Sequence, residues 1–249
     1  METMINLLTF GKGNAKLGKD VYTFSLPAGH TCPFADACLS KADRETGKLA
    51  DGPNTKFRCF AASSEAQYRN VRESRWRNFD ALMDASRAAS DDHGRIQNMK
   101  NLILMSLPSK ARKVRIHVSG DFFNVQYLRA WIDVALERPE VLFYAYTKSL
   151  SYWATYQNWI PSNLVLTASE GGRTDKLINT YRLRSAKVVF STEEAEAAGL
   201  EIDHDDSHAM AQGGDFALLL HGTQPKGTEA ARALSALKKA GHKGYSAKR

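Results

Sequence analysis

The chain has 249 residues, with 34 Lys+Arg against 27 Asp+Glu, three cysteines and a hydrophobic fraction of 43%. This composition excludes a disordered or collagen-like chain, and the length suffices to bury a sizeable core. No apolar run approaches the roughly 18–20 residues needed to cross a bilayer. Met1–Phe10 carries Glu2 and no basic stretch ahead of a long apolar core, so it does not read as a secretory signal. One cytoplasmic domain spanning 1–249, with no membrane partner, is expected.

In chain order, Asp20–Leu26 alternates as a strand and stops at Pro27-Ala28-Gly29. A turn-rich loop follows over 27–60 and contains all three cysteines. A long helix is predicted from Ala61, because Tyr68, Val71, Trp76, Phe79, Leu82 and Met83 keep helical spacing. A second helix spans Arg95 to Leu107. Beyond Lys113 the pattern becomes strand and helix in turn: strands at 114–119, 141–147, 164–169, 187–191 and 216–220, helices at 125–137, 151–159, 174–183, 192–198 and 228–240. With the first strand this makes six βα units, and such alternation means a parallel sheet covered by helices. Six units fall short of an eight-stranded barrel, so either a partial barrel or an open doubly wound sheet is expected. Lys226–Arg249 carries a net +6 and leaves only +1 for the rest of the chain. This basic C-terminal helix and tail is a candidate contact for nucleic acid, or a solvated end that aids solubility.

In either architecture, ligands sit beyond the C-terminal ends of the strands. Polar residues gather there: Ser119 and Asp121, Thr147 and Lys148, Ser169 and Glu170, Ser191 and Thr192, His221. Within the strand 114–119, simple alternation turns Val114, Ile116 and Val118 to one face. Arg115, His117 and Ser119 then share the other, which suggests a polar interior. Glu170-Gly171-Gly172-Arg173 reads as an anion-binding turn at a helix start. Gly11-Lys12-Gly13-Asn14 is too short for a phosphate loop.

The cysteines read Cys32-x5-Cys38-x20-Cys59, within one loop at the top of the first strand. Three cysteines in a reducing compartment make no disulfide framework. Thiolates suit iron–sulfur clusters or zinc, and three of them fit a four-iron cluster whose last iron keeps an open position. Zinc completed by His30, with His204 or His208 reaching the site, is the alternative, and a third is that the thiols merely pack. An enzyme without metal, using Asp121, Lys148 or Glu170, is a further possibility, though no triad spacing supports it.

The stretches FSLPAGHTCPFADAC, RCFAAS and RIHVSGDFFNVQYLRAWIDVALERPEVLFYAYTKSL resemble the phage "gene product 88" family over roughly Phe24 to Leu150. That resemblance implies a bacteriophage-encoded protein, resident in the host cytoplasm. In architecture the chain is also similar to radical S-adenosylmethionine enzymes, which build a six-unit partial barrel with three cysteines after the first strand. The likeness implies a [4Fe-4S] cluster on Cys32, Cys38 and Cys59, with an unknown small molecule at the open iron. Ser119, Gly120 and Asp121 would match the short acidic, Gly-rich motif that contacts S-adenosylmethionine. The cysteine spacing departs from the CxxxCxxC usual there, which puts that cofactor in doubt and leaves enzyme activity open.

Overall fold

The computed structural model describes residues 6–14 and 17–242. Its centre is an eight-stranded sheet. β1 (Gly11–Asn14) is an antiparallel edge beside β2 (Gly18–Ser25). Inside the cysteine loop lies a small antiparallel hairpin, β3 (Ser40–Ala42) with β4 (Leu49–Asp51). Three helices follow, α1 (Phe60–Gln67), α2 (Arg69–Arg87) and α3 (Asp92–Ser106). Then come β5 (Lys113–Ser119), α4 (Val125–Glu137), β6 (Leu142–Thr147), α5 (Leu150–Tyr156), β7 (Leu164–Ser169), α6 (Lys176–Tyr181) and β8 (Ser185–Val189). The chain continues through α7 (Thr192–Ala197), β9 (Glu201–Ile202), α8 (Ser207–Met210), β10 (Phe216–Leu219) and α9 (Glu229–Lys239).

The sheet order is β1-β2-β5-β6-β7-β8-β10-β9, and every pairing except β1 with β2 is parallel. β2, β5, β6, β7, β8 and β10 therefore lie in the order in which the chain makes them. A doubly wound sheet reverses its order at a central switch point; these six strands show no such reversal, and only the short β9, made before β10, lies outside it.

Alternation along the strands sorts the two faces. Phe24 and Leu26, Val114 and Ile116, Phe143 and Ala145, and Leu164, Leu166 and Ala168 pack under α2 to α6, with Trp131 and Tyr127 of α4 fully buried among them. The opposite face carries Tyr144, Tyr146, Val165, Ala186, Phe216 and Leu218, closed at one end by Ala209 and Met210 of α8. The best-read helix is α4, whose Asn124 side chain accepts the Tyr127 N–H as an N-cap, at the predicted boundaries.

Three expectations need correction. The long helix from Ala61 is broken at Tyr68, which is extended (φ −121°, ψ 105°), so α1 and α2 bury different faces. β8 lies two residues earlier than the predicted 187–191. Most consequential is β5, where Thr23 pairs with Arg115 but Ser25 pairs with Ser119, so a bulge interrupts the alternation. His117 sits in the bulge with φ +66° and turns to the helix side. There its Nε2 meets the Tyr127 hydroxyl at 3.1 Å, and its ring packs edge-on against Phe122. His117 therefore does not share a face with Arg115.

Candidate functional site

A cavity of about 700 Å³ opens beyond the C-terminal ends of the parallel strands, on the face that α2 to α6 leave uncovered. Its lining includes Cys32, Cys38 and Cys59 together with Ser119, Gly120 and Asp121. Residues separated by up to 89 positions thus share one chamber, as the parallel topology predicts.

The thiols come from three local structures. Cys32 lies in the turn after β2, where its Sγ accepts the Gly29 N–H at 3.3 Å. Cys38 precedes the β3–β4 hairpin. Cys59 is the N-cap residue of α1. Burial first, then Asp121 and the other two sulfurs, pushes the Cys32 thiol well up. Cys59 is pushed up to about 11 by burial and Cys38, while the Ala61 and Ala62 N–H groups at the first turn of α1 pull it down. The three sulfurs are thus close enough to repel one another as thiolates, and a cation among them would relieve that repulsion. Among the described residues no three His, Cys, Asp or Glu side chains converge on a single-ion site.

The loop that holds the thiols is pinned without their help. Ala37 N–H donates to the Gly171 carbonyl at 2.9 Å, and Arg173 N–H to the Phe34 carbonyl at 2.9 Å. Gly171 and Gly172 N–H groups both donate to Asp175, at 2.7 and 2.9 Å. The anion expected at the Glu170–Arg173 turn is therefore the chain's own carboxylate, and this turn serves as a dock for the cysteine loop.

Ser119, Gly120 and Asp121 are wall and hinge of the site. Ser119 Oγ donates to Glu65 Oε1 at 3.2 Å. Gly120 has φ +84°, and a Cβ there would lie 2.5 Å from Thr31 Oγ1 and 2.7 Å from Leu26 Cβ, so the cysteine loop packs on bare backbone. Asp121 is buried; its Oδ1 accepts from Thr147 Oγ1 at 2.6 Å and Phe122 N–H at 2.7 Å, and its Oδ2 from Lys148 N–H at 2.8 Å. Burial raises its carboxyl to about 6, against those hydrogen bonds. Lys148 is 6% exposed on the same wall, its Nζ donating to Ser169 O, Ser169 Oγ and Glu170 O.

Behind the thiols lies a buried ion pair that sequence reasoning missed. Glu65, fully buried on α1, accepts at Oε1 from Arg75 Nη1 at 2.7 Å and from the Ala28 N–H at 2.8 Å, besides Ser119. Arg75 also donates to the Ala61 carbonyl at 2.9 Å. One carboxylate thus ties α1, α2, the start of the cysteine loop and the end of β5. Gln224 was missed too. Its side chain accepts the Arg58 N–H at 2.8 Å and donates to the Arg58 and His221 carbonyls, both at 3.1 Å, gripping the residue before Cys59. Nothing in the local sequence marks either residue.

Of the histidines proposed as extra ligands, His204 lines the cavity, whereas His208 pairs with Glu201 at 2.9 Å. His30 Nε2 lies 2.9 Å from the Ala42 carbonyl, and its ring packs at a tilt against Trp76. Arg115 reaches the cavity floor as expected, held 2.7 Å from Asp206. The basic helix α9 walls the cavity through Leu234, Leu237 and Lys238; the tail 243–249 lies outside the described residues. No described helix is long and apolar enough to cross a membrane.

The Gene 88 protein of Mycobacterium phage L5 is 30% identical to the chain over 140 residues, which is 55% of this chain and 51% of that protein. The chain thus spans about half the length of that curated relative. No solved structure matches. The family model described as gene product 88 matches residues 7–240, from ahead of β1 through α9 and across every element that shapes the cavity, and the chain belongs to that family.

Proposed function

We propose that this chain is an iron–sulfur protein of the phage-infected host cytoplasm, holding a four-iron cluster on Cys32, Cys38 and Cys59. The carrying observation is that three thiols from separate local structures line one wall of a single cavity at the strand ends. The donor set fits. Thiolates are soft ligands, and N–H groups lean on the sulfurs of Cys32 and Cys59, an interaction that tunes such clusters. A four-iron cube takes its thiolates from separate corners, a wider spacing than one zinc ion asks for. The chain-ordered parallel strands also support the finer reading of the sheet as a six-unit partial barrel, with the cavity as its interior.

When bound, the cluster supplies one-electron chemistry and an iron open to an outside ligand. The chain's residues supply the rest. Glu65 and Arg75 hold the loop and α1 in register, and Lys148 places a buried positive charge on the wall. Asp121 is oriented by three donors and keeps a lone pair of Oδ2 for the ammonium of an aminocarboxylate ligand, a charge-assisted contact. S-adenosylmethionine is the aminocarboxylate to try.

Protein isolated without oxygen is expected to be brown, with iron and acid-labile sulfide in equal amounts near four per chain. Replacing any one cysteine by Ala removes most of the iron while the far-ultraviolet spectrum is kept. Stoichiometric zinc without sulfide overturns the reading. Separately, S-adenosylmethionine added to the reduced protein is expected to alter the cluster's electron-spin spectrum, and Asp121→Ala to weaken that change. An unaltered spectrum at saturation removes that ligand and leaves the cluster standing.

A further inference from the structure

The helices α2 to α6 pack on one face of the sheet, but α9 does not join them. Val188, Phe190 and Leu220, which pack against Ala230, Ala233, Leu234 and Leu237, belong to the cavity side: Val188 and Leu220 line the chamber, and Phe190 shares Val188's register. The last helix thus lies over the chamber that holds the thiols. Leu234, Leu237, Lys238, Gly241 and His242 form part of its wall.

The attachment of α9 is slight. Its contact face is two alanines, half-buried Leu234 and buried Leu237; the aromatic members of the cluster, Phe57 and Phe190, belong to the cysteine loop and the end of β8, not to the helix. The hydrogen bonds shown for 229–242 reach no further than the turn just before the helix: Thr228 caps Ala231, Arg232 reaches the Gly227 carbonyl, and the other backbone bonds are helical or terminal. One electrostatic contact, His242 with Glu193, reaches outside it. The chain before it is fixed, because Gln224 is clamped to Arg58 and His221. Between clamp and helix lie Pro225 and Gly227, the latter at φ +82°, a conformation that L side chains rarely adopt. A firmly held point, a short turn containing glycine and a weakly packed amphipathic helix are the parts of a hinged cover.

We propose that α9 is a lid, hinged at Pro225–Gly227, that opens to give small molecules access to the thiol wall of the cavity. This holds whatever the thiols bind, so it stands or falls apart from the cluster.

Hydrogen exchange on the full-length protein as isolated is the first test. Amides of 232–240 are expected to exchange at least a hundredfold faster than those of β5, β6 and β7, through local opening. Exchange of α9 only together with those strands overturns the lid. The second test is alkylation of the reduced, chelator-treated full-length chain with a bulky maleimide. Leu237→Asp is expected to speed modification of the three cavity thiols at least tenfold. Leu237→Ala is expected to do so by a smaller factor, which serves if the aspartate variant fails to fold. Rates within twofold of the parent in a folded variant overturn the proposal.

Discussion

His117 shows how much a single backbone angle decides. Its positive φ, in the left-handed region, turns the imidazole toward Tyr127 and Phe122 although the residue still borders the cavity, and burial lowers its pKa to about 3. The unfolded chain binds a proton there near pH 6.5, and the folded one does not until near pH 3. Folded-state proton binding is thus the weaker, and stability falls as pH falls through that window. The expected slope is about 1.4 kcal/mol per pH unit at its steepest. His117→Asn tolerates the backbone angle and has no such titration. Urea unfolding at pH 7 and pH 5 should therefore show a loss of about 2 kcal/mol in the parent that is largely absent from the variant. Equal pH dependence in both would mean that His117 is not the group responsible.

Among the elements, α1 and α2 carry the sharpest lesson. The stretch from Ala61 to Met83 reads as one amphipathic helix with a charged, solvated face. Glu65 and Arg75 look like part of that face. In the folded chain the break at Tyr68 lets both turn inward, where their pairing is 91% or more shielded from water. Removing one partner of such a pair strands the other's charge, at a cost of about 3–5 kcal/mol. Arg75→Met is therefore expected to lower the urea midpoint markedly and, by freeing Glu65, to loosen the Ala28 and Ser119 contacts. A cost below about 1 kcal/mol would show that water reaches Glu65. By contrast β6, β7 and α4 were legible, because short continuous apolar runs bounded by polar residues and a helical stretch that stops before Pro139 are local signals. β1, the hairpin β3–β4 and β9 are too short for any periodicity, and their pairing depends on neighbours far along the chain. The bulge at His117 was illegible for the same reason: it answers to Ser25 across the sheet, not to its own neighbours.

For the whole molecule, the candidate site was more legible than its supports. Cysteines at strand tops announce themselves by type and position, whereas Gln224 and the Asp175 dock depend on surfaces that only the folded chain brings together. Because that dock is made of backbone hydrogen bonds, the scaffold does not depend on the sulfurs. If the proposed cluster is bound, stripping its iron with a chelator is expected to leave the far-ultraviolet signal intact while lowering the thermal midpoint by roughly 5–10 °C, the linkage of a tightly held ligand in a chain of this size. Collapse of the secondary structure on chelation would show instead that the metal organises the sheet.

The grip of Gln224 on Arg58 also sets an order of events in time. The two residues are 166 positions apart, so the neighbour of Cys59 is held only after the last strand has been made and added to the sheet. Contacts this distant along the chain form late, since the intervening loop must first be closed. During synthesis the chain through β8 has made both the cysteine loop and its dock at Gly171–Asp175, but Arg58 beside Cys59 is still ungripped. The finished chamber is therefore a product of the complete chain, and a nascent protein stalled before β10 would present the cysteines without the geometry to use them.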